Sequence, residues 1–294
     1  MKTLISALAL AAMTSTAFAA DAVFEPTPEP APVVVDESRF ALTLGAGVGF
    51  QPLYEGSDEY RAFAFPIIAP SFGAGDGPRR FEFRALDDAR IHLLRTGGFS
   101  VGPVVGYRFG RDADDSNRLT GLGDIDDGLV VGGFVNYDFV DNGTERVGVG
   151  LAYSTQITGE ASDDSLFPAL RNDFGYELDL SAHYDTQLTE QLSVKFVGGG
   201  VYADDEYMQT NFGISANQAI ASTAASVGLP AYDADAGIKN VYAKADFKYQ
   251  MTENFDLRAG IGYSHLLNDA ADSPITESES QFFGSVGAAY TLRF

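Results

Sequence analysis

The residues Gln281–Phe294 read QFFGSVGAAYTLRF, and this stretch decides the fold because its apolar and polar character alternates with a period of two. One face carries Phe282, Gly284, Val286, Ala288, Tyr290, Leu292 and Phe294, and the other carries Phe283, Ser285, Gly287, Ala289, Thr291 and Arg293. Successive side chains of a β-strand point to opposite faces, so the pattern predicts a long strand with one apolar face.

The same alternation occurs in earlier segments, such as Phe255–Ser264, Val241–Tyr249 and Phe174–Asp185. Many of these segments are about 11 to 15 residues long, whereas strands of soluble proteins usually have about five or six residues. Aromatic residues recur near both ends of the apolar face, as Phe255 and Tyr263 do. Such aromatic girdles are typical of lipid-facing strands, although alternation alone also fits a soluble sandwich with its apolar face inward.

Twelve strands are predicted, near residues 40–50, 60–72, 79–86, 89–95, 98–110, 127–139, 145–157, 172–187, 190–204, 238–251, 254–268 and 280–294. Connections at one end of the strands are long except for the second, at 51–59, 86–88, 111–126, 158–171, 205–237 and 269–279. Those at the other end are short, at 73–78, 96–97, 140–144, 188–189 and 252–253. Outer-membrane barrels have long extracellular loops and short periplasmic turns. The predicted fold is therefore all-β, a closed antiparallel transmembrane β-barrel of about twelve strands, with ten strands as the alternative if the pair around 86–88 does not form.

The N-terminal residues predict export across the inner membrane. Residues 1–19 have the features of a signal peptide: Lys2, an apolar run from Leu4 to Met13, and the small-x-small site Ala17–Ala19. Residues 20–39 alternate prolines with acidic residues, which predicts an extended periplasmic arm outside the packed fold. Residues 40–294 form the predicted barrel, and the C-terminal Phe294 resembles the signature by which bacterial barrels are recognised for assembly. The predicted location is the cell outer membrane.

Composition excludes several kinds of protein. The chain has no cysteine, so it has neither disulfides nor thiolate metal sites. Its formal net charge of −22 argues against nucleic acid as a partner, because phosphate binding requires a basic surface. We expect outer-membrane lipid and lipopolysaccharide as partners, and no cofactor.

The predicted lumen face carries charges of both signs: Arg108, Glu177, Asp179, His183, Lys195, Lys244, Asp246, Lys248 and Arg258. Buried charges must pair or stay hydrated. The balance of signs favours a network that braces a narrow barrel over the selectivity lining of a channel.

Two predicted loops have distinctive compositions. The loop 111–126 and its flank carry aspartates that form either a solvated acidic loop, which we favour, or a Ca²⁺ site: Asp112, Asp114, Asp115, Asp124, Asp126 and Asp127. The loop 205–237 is long enough to be functional. Its alanine-rich stretch Ala216–Val227 predicts a short helix capped by Ser215 or Asn217, which either covers the barrel rim, our preference, or enters the mouth as a plug.

No residue pattern indicates an enzyme. The only histidines are His92, His183 and His265, and Ser264 cannot pair with His265 because adjacent strand residues point to opposite faces. His183 shares a face with acidic residues and Ser181, but we interpret it as structural. We predict no catalytic, cofactor or metal residues.

Several strings resemble the MipA/OmpV family, whose namesake is the MltA-interacting protein. These are YEGSDEY at 54–60, LLRTGGFSVGPVVGYRFGR at 93–111, GLGDIDD at 121–127, DDEYMQTNFGIS at 204–215, GLPAYDADAGIK at 228–239 and HLLNDAADSPIT at 265–276. The resemblance covers about residues 40–294 and implies an outer-membrane barrel. It further implies, as the leading hypothesis, a non-enzymatic scaffold that contacts a periplasmic lytic transglycosylase and a peptidoglycan synthase. A narrow channel for small solutes and a surface adhesin are the alternatives.

Overall fold

The computed structural model describes residues 40–72, 81–83, 88–159 and 174–294. The predicted signal peptide 1–19 and arm 20–39 lie outside these residues, as do most of the connection 158–171 and parts of the predicted strands 79–86 and 172–187. Within the described part, no helix has the length and apolar character needed to cross a membrane.

The described residues form one antiparallel sheet of thirteen strands. These are β1 (Phe40–Pro52), β2 (Tyr60–Phe72), β3 (Phe81–Phe83), β4 (Ala89–Ile91), β5 (Leu94–Thr96), β6 (Phe99–Arg108), β7 (Gly128–Asp141), β8 (Glu145–Gln156), β9 (Glu177–Gln187), β10 (Leu192–Ala203), β11 (Gly237–Gln250), β12 (Phe255–Leu266) and β13 (Ser280–Arg293). The predicted strand 89–95 is divided into β4 and β5, which both pair with β6. Counted as one strand they give the predicted twelve, so the ten-strand alternative is not needed.

The sheet curls so that its two ends meet at the long-loop end. Its hydrogen-bonded order is β2-β1-β13-β12-β11-β10-β9-β8-β7-β6-β4-β3. Arg61 of β2 donates to the carbonyl of Gly110, just beyond β6, at 3.2 Å, and the rings of Phe63 and Phe109 are 5.5 Å apart. The N-terminal strand also pairs with the C-terminal one along β1 and β13. The pairing of β2 with β3 is not among the ladders of the described residues.

The apolar face predicted from the sequence is the outer face. Val286 and Leu292 of β13 are 57% and 39% exposed, and Leu180 of β9 is 63% exposed, whereas the alternate residue Gln281 is buried. An exposed apolar belt on the outer face of a curled sheet is the arrangement expected where lipid rather than water surrounds the sheet. The predicted register of β13 is therefore confirmed.

Three helices cover the long-loop end of the barrel. They are α1 (Asp205–Phe212), α2 (Ala216–Ala224) and α3 (Asn268–Asp272), and we call them, with the loops 53–59 and 109–127, the lid. Ser215 caps α2 in a capping box with Gln218, so the predicted helix and cap are confirmed, while Asn217 lies inside the helix.

Helix α1 was not predicted. Its sequence signals are Asp204, whose side chain accepts from the backbone N–H of Tyr207 at 3.0 Å, and two acidic residues in its first turn, which favour a helix N-terminus. The helix forms because Tyr207, Met208 and Phe212 bury against the barrel mouth.

Candidate functional site: the covered lumen

The lid has its own apolar core, which makes it a packed structure rather than a set of loose loops. One cluster joins Tyr207, Met208 and Phe212 of α1 to Leu266 and Ala270. A second joins four loops through the residues Tyr54, Leu119, Leu122, Ile214, Leu229 and Ile275. Since these side chains are at most 7% exposed, the lid covers the mouth, and the predicted cover agrees with the structure.

Polar contacts tie the lid segments to each other. Arg118 donates to the carbonyl of Pro274 at 3.0 Å, and Ser273 donates to the carbonyl of Phe212 at 2.6 Å. Arg111 donates to the carbonyl of Asn211 at 2.9 Å. Burial lowers the pKa of the Arg111 guanidinium to about 10, so it remains positively charged at neutral pH and holds α1 against the loop 109–127.

A buried ionic network lies directly beneath α1. Lys239 donates to Glu177 and to Glu55, each at 2.6 Å, and Arg108 forms an ion pair with Glu177. Tyr207 donates to Glu55 at 2.9 Å, and its ring lies 4.5 Å from the Lys239 ammonium. Two cations and two carboxylates thus neutralise one another; Lys239 and Glu177 are buried, whereas Glu55 is 41% exposed at the edge of the network.

Lys239 was missed because of a β-bulge. The β10–β11 ladder pairs Val201 with Asn240 and then Tyr202 with Ile238, so Lys239 is the extra residue. A bulge interrupts the alternation of side chains, and both Lys239 and Asn240 are buried. A period of two read from Val241 backwards assigns Lys239 to the lipid face, and the sequence contains no signal that marks the bulge.

Below this network the lumen holds a cavity of about 470 Å³. Its basic lining residues are Arg61, Arg108, Arg111, Lys239 and Lys244. Its acidic lining residues are Glu55, Asp88, Glu177, Asp179 and Asp246. Within the described part of the lumen the cavity is therefore balanced in charge, although the chain as a whole carries −22.

Arg90 and Phe134 lie behind the cavity wall, where they contact residues that line the cavity. Arg90 is fully buried and forms a bidentate pair with Asp88 at 2.7 and 2.9 Å, the strongest geometry for such a pair. Its guanidinium lies 5.1 Å from the Phe134 ring centre and 3.8 Å from Asp179. The two side chains are at most 3% exposed, and Arg90 also contacts Asn136, on the short-turn side, at 3.3 Å.

Further ion pairs occupy the half of the lumen near the short turns. His183 contacts Asp138 at 3.0 Å and Arg95 contacts the same carboxylate at 3.1 Å. Arg258 pairs with Asp256 at 2.5 Å. The remaining predicted lumen charges are also in ion pairs, Lys195 with Asp185, Lys244 with Asp246 and Lys248 with Asp256. This pattern of opposite charges agrees with the predicted bracing network.

The histidine and serine residues considered from the sequence do not form a nucleophilic pair with access to substrate. Ser264 accepts from Asn240 at 2.6 Å inside the lumen, while His265 lies outside against Tyr263. His92 contacts Ser100 beside a space of only about 20 Å³, which is enough for about one water molecule. The absence of enzymatic activity stays a prediction.

The loop aspartates accept hydrogen bonds from backbone N–H groups of the same loop. Asp124 accepts from the N–H of Ala113 at 2.8 Å, and Asp127 accepts from the N–H of Gly110 at 2.6 Å and from Tyr107. Such contacts stabilise turns. Among the residues that the structure describes, no group of three or more histidine and acidic side chains is placed to hold a metal ion.

We expect Tyr54 and Tyr207 to report on the lid in an alkaline titration. Burial raises the pKa of both hydroxyls, and the hydrogen bond to Glu277 raises that of Tyr54 further. Because the folded pKa is raised, these residues stabilise the lid below the unfolded value of about 10, and that contribution is lost as the pH rises above it. The tyrosinate absorbance of the intact barrel will therefore show a step at a pH above that at which exposed tyrosines ionise. Tyr54→Phe and Tyr207→Phe will each reduce it, and identical titrations of all three proteins would contradict this result.

Long strands with an apolar outer face and a charged lumen define the class of outer-membrane β-barrel proteins. A family model described as MltA-interacting protein MipA matches residues 44–292, and the chain belongs to this family. The resemblance predicted from the loop and strand strings is thereby confirmed, as is the location in the cell outer membrane.

Solved barrels are also similar to the chain, at low identity. The NanC porin is 10% identical, with coverage of 86% of this chain and 100% of that chain and a TM-score of 0.39. OmpT of Vibrio cholerae is 9% identical, with 86% and 97% coverage and a TM-score of 0.37. Ail of Yersinia pestis is 11% identical, with 87% and 99% coverage and a TM-score of 0.26. No curated protein sequence matches the chain.

Proposed function

We propose that the chain is a non-enzymatic scaffold in the outer membrane that holds murein-synthesising and murein-cleaving enzymes at the periplasmic face. The observation that carries the proposal is a lumen that is covered at the mouth by the lid and that contains the buried side chains Arg90 and Phe134 behind the cavity wall. A barrel of this construction supplies a rigid anchor rather than a wide path for diffusion. The description of its family, an MltA-interacting protein, points to the same role.

The short turns offer a contact surface for such partners. Leu188, in the turn after β9, is 59% exposed, and Met251, in the turn after β11, is 50% exposed. Apolar side chains at the rim of an otherwise polar turn are common at sites of protein contact. The predicted arm 20–39 precedes β1 in the sequence, and we propose it as a second candidate contact for these enzymes.

The test is crosslinking in intact cells from a photoreactive residue placed at Leu188 or Met251. The matched control is the same residue at Ile220 of α2, which is 70% exposed at the opposite end of the barrel. We expect adducts with a lytic transglycosylase or a peptidoglycan synthase from the turn positions and none from Ile220. A variant without residues 20–39 will show whether the arm adds to capture. If no murein enzyme is captured from the turns, or if Ile220 captures the same proteins, the scaffold proposal is wrong.

A further inference from the structure

The cavity under the lid has the dimensions of a small-molecule site. Its volume of about 470 Å³ falls within the range of about 300–1,000 Å³ that is usual for such sites. We propose that it binds a neutral solute of sugar size that has one apolar face and one face of hydroxyl groups, such as a monosaccharide or its aryl glycoside. This inference does not depend on the scaffold role, because the two use opposite ends of the barrel.

One wall of the cavity is aromatic. Phe63 and Phe65 of β2 have ring centres 5.9 Å apart, and Phe283 of β13 lines the same side. The two β2 rings lie over the glycines of β1, since a Cβ at Gly47 would be 2.5 Å from Phe65 and one at Gly49 would be 2.8 Å from Phe63. These glycines leave the rings room to lie against the strand, and the C–H face of a sugar or an aryl ring can pack on such a surface.

The opposite wall is polar. In the strand order β9 is six places from β2, which puts it across the lumen in a barrel of about twelve strands. Asp179 of β9 accepts from Tyr242 at 2.9 Å, and Lys244 lies 3.9 Å from Asp246 on β11. Tyr242, Lys244 and Asp246 belong to β11, which is separated from β9 by β10. Carboxylate oxygens, a phenol and an ammonium group together accept from and donate to hydroxyl groups.

The charge balance selects a neutral ligand. Five basic and five acidic side chains line the cavity, and the innermost of them, Lys239 and Glu177, already pair at 2.6 Å. The balanced lining offers a charged ligand no excess of the opposite charge. Such a ligand would therefore have to break a buried ion pair, which is costly. A solute that carries only hydroxyl groups avoids both penalties.

The test uses phenyl β-D-glucopyranoside as the probe, with phenyl phosphate and benzylamine as its anionic and cationic comparators. The full-length mature barrel is titrated in an amine-oxide detergent, which contains no sugar, and binding is followed by calorimetry and ligand-observed NMR. We expect saturable binding of the glucoside and binding about tenfold weaker, or none, for the two charged probes. Absence of saturable binding, or equal binding of all three probes, would overturn the proposal.

Matched variants place the ligand in the cavity. Phe65→Leu removes a ring from the inner wall, and Phe196→Leu removes one from the outer face, where it is 46% exposed. We expect the first to weaken glucoside binding about tenfold and the second to leave it unchanged. Asp179→Asn gives an independent test of the polar wall and should also weaken binding. Circular dichroism and heat-dependent gel mobility establish that each variant is folded, and equal losses for Phe65→Leu and Phe196→Leu would assign binding to the detergent-covered surface and refute the site.

Discussion

Replacement of Lys239 by methionine is expected to destabilise the barrel by about 3–5 kcal/mol, the usual cost of breaking a buried ion pair by removing one partner. The side chain of Lys239 is 4% exposed and that of Glu177 is 10% exposed. Methionine keeps most of the volume but leaves two carboxylates with one cation: Glu177 keeps Arg108, and Glu55 keeps only the hydrogen bond from Tyr207. Urea unfolding followed by circular dichroism measures the change in the free energy of unfolding.

The control for this experiment is Lys195→Met. Lys195 also faces the lumen, but its side chain is 25% exposed and its ammonium lies 4.0 Å from Asp185, so we expect a loss of about 1 kcal/mol or less. The double variant Lys239→Met with Glu177→Gln should recover part of the lost stability, because the uncompensated charge is removed as well. Equal losses for Lys239→Met and Lys195→Met would show that the network under α1 has no special importance.

The sequence predicted most of the strands because lipid on one side and a polar lumen on the other enforce a period of two. The predicted strand 172–187 was too long, since β9 begins at Glu177 and Phe174 lines the cavity instead of facing lipid. The predicted bounds of the last strand, 280–294, differ by one residue from those of β13. The outward side chains of β9, β11 and β12 were also identified correctly, as Leu180, Val241 and Ile261 show by their exposure. Local sequence is enough to predict a strand and its outward face, because both depend only on the period of the side chains.

The interior network could not be predicted for two physical reasons. First, its partners come together through the closure of the sheet: Arg108 and Glu177 are 69 residues apart, and nothing in either local sequence specifies the other. Second, Lys239 faces inward only because of the bulge opposite Val201 and Tyr202. Sequence reasoning therefore found Arg108 and Glu177 as lumen residues but not Lys239, Glu55 or Arg90.

The lid illustrates the same limit. The capping box of α2 is a local signal and was found, whereas the burial of α1 depends on contacts of Tyr207 and Phe212 with loops and strands elsewhere in the chain. The acidic loop 111–126 has an obvious composition, yet its aspartates such as Asp124 serve neighbouring N–H groups. The sequence predicted the acidic character of the loop and the helix α2, but the packing of the loops depends on tertiary contacts.

Removal of the lid helices α1 and α2, which we call lid removal and which leaves α3 in place, is expected to expose the cavity without opening a channel. Ala203 and Gly237 face each other across the β10–β11 ladder, so a short Gly-Ser turn can replace residues 205–236 without disturbing the strands. The chain has no cysteine, so Ser285→Cys introduces a single thiol on the cavity wall. A bulky maleimide should label this thiol on the order of a hundredfold faster once the lid is removed, because the intact lid must first open at a cost of about 3 kcal/mol.

The matched control is Thr144→Cys in the exposed turn after β7, which should react at the same rate with and without the lid. Planar-bilayer recordings should detect no discrete conductance from the intact barrel or from the barrel without α1 and α2. In both proteins Arg90 and Phe134 remain buried in the lumen behind the cavity wall. Conductance steps that appear only after removal of the lid would show that Arg90 and Phe134 do not close the lumen and that the lid alone blocks a channel. Labelling rates that do not change would instead show that the lid already opens freely, and the cavity would then be accessible to solutes in the intact protein.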